Sequence, residues 1–210
     1  MKLYLSSIDI PTPDDLARLL GKPFSEVSVA IIPNAKDYYS KHAWDYKVSK
    51  YVSLFETLGC KVAVVDLRDH SDADELRRQL SGHDLVWITG GNTFCLRYEM
   101  RRSGFDTIIS ELLETGTVFG GDSAGALVAG LSIAGIESAD MPQFAEEVIN
   151  EGLKLVPYMI LPHADNPEFA DAVATVRSMT HETGNLIELK DSQAVIFNNG
   201  SHRIVEAQRG

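Results

Sequence analysis

Short apolar runs rich in β-branched residues take turns with longer stretches in which apolar side chains recur every three or four positions. The first pattern, at residues 27–33 (V-S-V-A-I-I-P), from Lys61 (K-V-A-V-V-D-L), at 84–91 (D-L-V-W-I-T-G-G) and at 117–121 (T-V-F-G-G), predicts buried strands. Between them, Val48, Tyr51, Val52, Phe55 and Leu58 predict a helix over 44–58 closed by Gly59. Residues 72–80, 93–102 and 105–114 predict three more, the last stopped by Gly116. A strand over 2–7 and a helical turn or two over 14–20 precede this series, and a helix over 124–130 ends it. Such alternation is the mark of right-handed crossovers over a mainly parallel sheet. The remainder is less regular: an apolar segment L-V-P-Y-M-I-L-P-H at 155–163, a helix near 167–181, and two strands joined at N-N-G (198–200). The last is a hairpin signal, because two successive residues there accept positive φ. The expectation is one α/β domain over residues 1–210, with a mainly parallel sheet flanked by helices on both faces and an antiparallel C-terminal hairpin.

Composition excludes several classes. Hydrophobic content of 44% and charged content of 23%, with 16 glycines and 8 prolines, match a folded globular chain. No apolar run approaches eighteen residues, and M-K-L-Y-L-S-S-I-D-I lacks both the sustained apolar stretch and the cleavage site of a secretory leader, so no membrane span and a cytoplasmic location are expected. Cys60 and Cys95 show no C-x-x-C spacing, which argues against a disulfide framework or a thiolate metal site. The net charge of −11 disfavours nucleic acid and repels acidic small molecules at long range, so an acidic substrate would need a local arginine in its pocket. Whether the chain is a monomer or a homodimer is left open.

The candidate chemistry lies in F-G-G-D-S-A-G-A-L-V-A-G, residues 119–130. G-D-S-A-G fits G-x-S-x-G between a predicted strand and a predicted helix, the context in which that motif exposes a nucleophilic serine on a tight turn. Gly121 and Gly125 let the backbones pass while the hydroxyl of Ser123 stays exposed, and the helix start offers the Ala124 N–H to a developing oxyanion. A second donor is expected from the G-G-N-T corner at 90–93, with Gly91 the better candidate; Asn92 either caps the next helix or meets substrate. A serine needs a base, ideally one steered by a carboxylate. Of six histidines, His42, His70, His83 and His202 read as polar loop residues and His181 closes a helix, whereas His163 follows apolar M-I-L-P at a strand end, which makes it the expected base. Chain order Ser…Asp/Glu…His places the orienting acid among Glu137, Asp140, Glu146, Glu147 and Glu151, with Asp140 in the loop S-A-D-M-P the first choice and Glu137 the reserve. Asp165 is close in sequence but points elsewhere in an extended loop. The aromatic group Tyr38, Tyr39, Trp44 and Tyr46 follows the second predicted strand and is expected to pack, the alternative being that it lines the pocket mouth.

Four pieces, G-G-N-T-F (90–94), G-x-S-A-G-A (121–126), D-M-P (140–142) and P-H (162–163), occur in an order and at spacings that resemble peptidase family S51. The resemblance covers about residues 27–165. It implies an α/β sandwich shared with class I glutamine amidotransferases, no metal or cofactor, a small peptide substrate, and removal of an N-terminal aspartate from dipeptides through an acyl-enzyme. It further implies Ser123 as nucleophile, His163 as base, Asp140 as third member, and Gly91 and Ala124 N–H as oxyanion donors. Two departures bear on substrate binding. The family has an aromatic residue where this chain has Asp122, and of the arginines the family carries after its histidine only Arg177 remains here. The alternatives are a related hydrolase that cleaves β-aspartyl-arginine and a non-catalytic binding module of the same fold.

Overall fold

The computed structural model describes residues 1–182 and 184–207. In chain order the strands are β1 (Lys2–Ser6), β2 (Ser28–Ile32), β3 (Lys61–Val64), β4 (Leu85–Ile88), β5 (Val118–Asp122), β6 (Met159–Leu161), β7 (Leu186–Glu188), β8 (Gln193–Asn198) and β9 (Ser201–Glu206). The helices are α1 (Pro13–Leu20), α2 (Lys41–Leu58), α3 (Ala73–Leu80), α4 (Thr93–Arg102), α5 (Phe105–Glu114), α6 (Ala124–Leu127) and α7 (Ala170–Thr180). Seven strands form one sheet in the order β3-β2-β4-β5-β1-β8-β9. The first five run parallel, and β8 and β9 are antiparallel to their neighbours. Asn199 and Gly200, at φ 49° and 87°, make the tight turn of the β8–β9 hairpin.

Side-chain alternation along the strands divides the core between two faces. Leu3, Leu5, Val86, Ile88 and Phe119 face α3 to α7, where Leu76, Phe94, Met100, Phe105 and Val173 cover them. Tyr4, Val29, Leu85 and Trp87 face α1 and α2, against Leu16, Leu19 and Phe55. A strand buried on both sides must be apolar throughout, which is why these segments read as continuous hydrophobic runs.

After residue 127 the chain leaves the regular alternation. The helix expected over 124–130 ends after a single turn because Val128, Ala129 and Gly130 give their carbonyls to the N–H groups of Leu153, Leu155 and Lys154. The apolar segment before His163 does not join the main sheet: β6 pairs in parallel with β7 in a separate two-stranded sheet. The pairing continues past both strands, with the Leu189 N–H on the Leu161 carbonyl and the Ala164 N–H on the Leu189 carbonyl, each at 2.9 Å. Residues 162–166 and 189–191 are thereby held side by side. No helix among the described residues is long and apolar enough to cross a membrane.

Candidate active site

The corner at Ser123 follows from its glycines. Ser123 stands at φ 50°, ψ −112°, a conformation that strains a residue with a side chain. It is held by its own N–H on the Ser6 carbonyl and by its carbonyl, which accepts from Ala126 and Leu127. A Cβ at Gly125 would lie 2.2 Å from the Ile88 carbonyl oxygen, and one at Gly121 would lie 2.7 Å from the Gly125 carbonyl carbon, so no larger residue lets β4, β5 and α6 meet here. Gly91 has φ +142°, and a Cβ there would strike the Ala35 carbonyl oxygen at 2.2 Å. Among the described residues, the N–H groups of Gly91 and Ala124 donate to no protein acceptor.

His163 bridges two residues. Its Nε2 is 2.9 Å from Ser123 Oγ, and its Nδ1 is 2.6 Å from Asp191 Oδ1. A nitrogen facing a carboxylate carries the proton, which leaves Nε2 free to accept from the serine hydroxyl. The imidazole is fixed on every side. Phe169 stacks on it with ring centres 4.3 Å apart and planes 15° from parallel. Ser7 Oγ accepts the His163 backbone N–H at 2.8 Å and donates to Asp191 Oδ1 at 3.2 Å. These ties offset the strain of His163 itself, at φ 61°.

Asp191 is the residue that sequence reasoning missed. Its Oδ2 accepts from Asn166 Nδ2 at 3.0 Å, and its backbone N–H is anchored on Asp165 Oδ1 at 2.9 Å. Partial burial pushes its carboxyl up, but hydrogen bonds from His163 and Asn166 outweigh that and hold it below the ordinary carboxylate value. It is therefore charged wherever the imidazole needs a counter-ion. The available signal was the hairpin: β8 pairs antiparallel with β1, which returns the start of β8 to the carboxyl end of the parallel strands beside Ser7.

Asp140, expected against His163, is elsewhere. Its Oδ2 accepts the Thr93 N–H at 2.8 Å and the Thr93 hydroxyl at 2.5 Å, so it holds the D-M-P loop on the N-terminus of α4. Burial raises its pKa despite the Thr93 bonds. The reserve, Glu137, is exposed and bonds the Gly135 N–H. Asn92, a candidate for substrate, caps α4 through the Cys95 N–H at 3.0 Å and donates its amide to the Met141 carbonyl at 2.9 Å, so both polar ends are taken. Arg177 lies on the exposed side of α7, in a bidentate pair with Glu188 at 2.6 and 2.8 Å, away from Ser123. His70, expected in a polar loop, is buried.

Asp122 also departs from expectation, because its carboxylate turns inward rather than toward a ligand. It is 4% exposed, with Tyr51 Oη donating to Oδ2 at 2.8 Å and Trp87 Nε1 to Oδ1 at 3.1 Å. Burial pushes its pKa up to about 6, partly opposed by the Tyr51 bond and the nearby Lys36 charge. Of the aromatic group, Tyr38 packs against Tyr39 and Phe144 and Trp44 Nε1 donates to Asp37, whereas Tyr46 is exposed rather than packed. The pocket that holds Ser123 and His163 is closed by apolar side chains, Leu127, Ile136, Leu161, Phe169, Ala172 and Val173, with Asp140 and Thr93 on its wall. Among the described residues no group of three or more His, Cys, Asp or Glu side chains could hold a metal ion.

The family model described as "Peptidase family S51" matches residues 9–205. An uncharacterized peptidase of Listeria innocua serovar 6a is 39% identical over 115 residues, 54% of this chain and 54% of that protein. A peptidase E of Pasteurella multocida is 33% identical over 150 residues, 71% of this chain and 57% of that protein. The chain thus spans little more than half the length of either relative. In three dimensions it superposes on the crystal structure of a Listeria monocytogenes EGD-e protein, provisionally assigned as peptidase E, with a TM-score of 0.81 at 24% identity over 99% of this chain and 98% of the other.

Proposed function

Because the chain belongs to peptidase family S51, we propose that it is a serine peptidase that hydrolyses dipeptides or short peptides with an N-terminal aspartate, using Ser123, His163 and Asp191. The observation that carries this reading is the imidazole of His163, bonded on one nitrogen to Ser123 Oγ and on the other to Asp191.

In this reading Ser123 Oγ attacks the scissile carbonyl carbon while its proton passes to His163 Nε2. Asp191 stabilises the imidazolium and keeps Nε2 aimed at the oxygen. The tetrahedral oxyanion is met by the N–H groups of Gly91 and Ala124, each donor of this kind being worth about 10²- to 10³-fold in rate. When the carbon–nitrogen bond breaks, the leaving amine takes the proton from Nε2 and an acyl-serine remains. Water then repeats the sequence and releases the acid.

A fluorophosphonate probe should label the protein at Ser123, with no labelling of Ser123→Ala and weak labelling of His163→Ala. Hydrolysis of Asp-Leu should be abolished in the same variants. Labelling that survives in Ser123→Ala would sink the assignment, and labelling at Ser123 without Asp-Leu turnover would confine the failure to specificity.

A further inference from the structure

On the opposite face of the sheet, beneath Gly90, a cavity of about 480 Å³ opens between α2 and the loop after β1. Its volume is that of a ligand cleft. Lys36, Lys47 and Lys50 line it, with Tyr51 and Asp9. In a chain of net charge −11, three lysines on one cavity is a local reversal of sign. Lys22, Lys41 and Lys154 are in ion pairs with carboxylates, whereas Lys36, Lys47 and Lys50 are in none among the described residues. Each of the three is instead poised over a ring: Lys36 over Tyr51 at 4.8 Å, Lys47 over Tyr39 at 4.4 Å and Lys50 over Tyr46 at 4.6 Å.

Lys36 is the innermost of them, 7% exposed, and its Nζ has one hydrogen bond, 2.6 Å to the Gly90 carbonyl. That bond places the ammonium beside the catalytic corner, since a Cβ at Gly90 would lie only 3.0 Å from Ser123 Cβ. Two of its three N–H donors are left for a ligand. Burial disfavours the ammonium and lowers its pKa to about 8, with the charges of Asp122 and, less, Asp9 opposing without a direct ion pair. A bound carboxylate would relieve that. Asp9, at φ 43° and held there by Ser6 Oγ on its carbonyl, supplies the one negative group on the lining and matches an ammonium.

We propose that this lysine-lined cavity binds the N-terminal acidic residue of the peptide, with Lys36 on its side-chain carboxylate, Lys47 and Lys50 drawing it in, and Asp9 on its free amino group. The occupant's identity rests on the peptidase reading, whereas the cavity's affinity for a carboxylate does not.

Two measurements separate these claims. Calorimetry on the Ser123→Ala protein should detect binding of succinate, weakened at least about 10-fold by adding Lys36→Met, the loss expected for one charge-assisted hydrogen bond. In the active protein, the ratio of kcat/KM for Asp-Leu to that for its neutral isostere Asn-Leu should fall at least about 10-fold in Lys36→Met. Should Lys36→Met fail to fold, the less buried pair Lys47→Gln/Lys50→Gln should lower the same ratio about 3-fold, with the effect shrinking as salt rises. No succinate binding, or an unchanged ratio in variants that fold, overturns the proposal. Succinate binding that depends on Lys36 in a protein that turns over no dipeptide would leave the cavity standing and sink the peptidase reading.

Discussion

Two loops bring an aspartate near His163, and their surroundings give those aspartates opposite characters. The loop at 189–191 presents Asp191 with a side chain 31% exposed and donors from His163, Asn166 and Ser7, so its charged form is favoured. The D-M-P loop presents Asp140 to the Thr93 N–H and hydroxyl in a more buried place, so its neutral form gains. Both side chains stand near His163, but only one has an oxygen on Nδ1. The difference teaches that a carboxylate's role follows from which donors reach its oxygens rather than from its presence in a family motif. Asp122 extends the comparison: next to the serine in sequence, it is turned into the core and held by Tyr51 and Trp87.

The sharpest break of this comparison is to remove what the two loops compete for. His163→Ala should lower kcat/KM by about 10³-fold or more, read by dipeptide hydrolysis. Next, Asp191→Asn should cost about 10²- to 10⁴-fold while Asp140→Asn stays under about 10-fold. If the two losses were reversed, Asp140 would be the orienting acid and the pairing at 2.6 Å incidental. Asn166→Ala, which removes one donor from Asp191, should reduce kcat/KM about 3- to 10-fold. Thr93→Val should lower stability by about 1–2 kcal/mol in a denaturant titration, through the lost bond to Asp140, and change turnover less than Asn166→Ala does.

The smallest effect is the dependence of stability on pH, and its sign separates the two loops. Asp191 has a lowered pKa in the folded chain, so its contribution is present above the unfolded value of about 4 and is lost as pH falls through the folded one. Asp140 has a raised pKa, so the folded chain holds its proton more tightly and stability declines as pH climbs from about 4 through the folded value. Urea midpoints between about pH 3 and 7 should show Asp191→Asn flattening the acid-side loss and Asp140→Asn removing the opposing decline. Equal slopes in both variants would erase the distinction drawn here.

The regular part of the chain was legible because its signals are local. The strands at 28–32, 85–88 and 118–122 are apolar runs of the right length, and their helices carry the 3.6-residue period. The Ser123 corner and the G-G-N-T corner were readable for the same reason, since the steric need for glycine acts within a few residues. His163 was legible from its place after M-I-L-P. The carboxylate on its Nδ1 was not, because the rule that the acid lies between serine and histidine in chain order describes other folds. Here the pairing of β6 with β7, which no local pattern announces, lays residue 163 beside residue 191.

The substrate residues were the least readable. Asp122, Asn92 and Arg177 were singled out for charge or polarity near the motif, yet each has its polar atoms occupied by Tyr51 and Trp87, by Cys95 and Met141, or by Glu188. Lys36 follows Pro33, Asn34 and Ala35, where a lone lysine carries no periodicity and no motif. The sequence by itself determined the alternating elements, the glycine corners and the order of strands along the chain, because these depend on sterics and hydrophobic period over short spans. Only the tertiary structure decided which aspartate reaches His163 and which lysines share a cavity. Those outcomes depend on distances between residues far apart in the chain, and packing alone sets such distances.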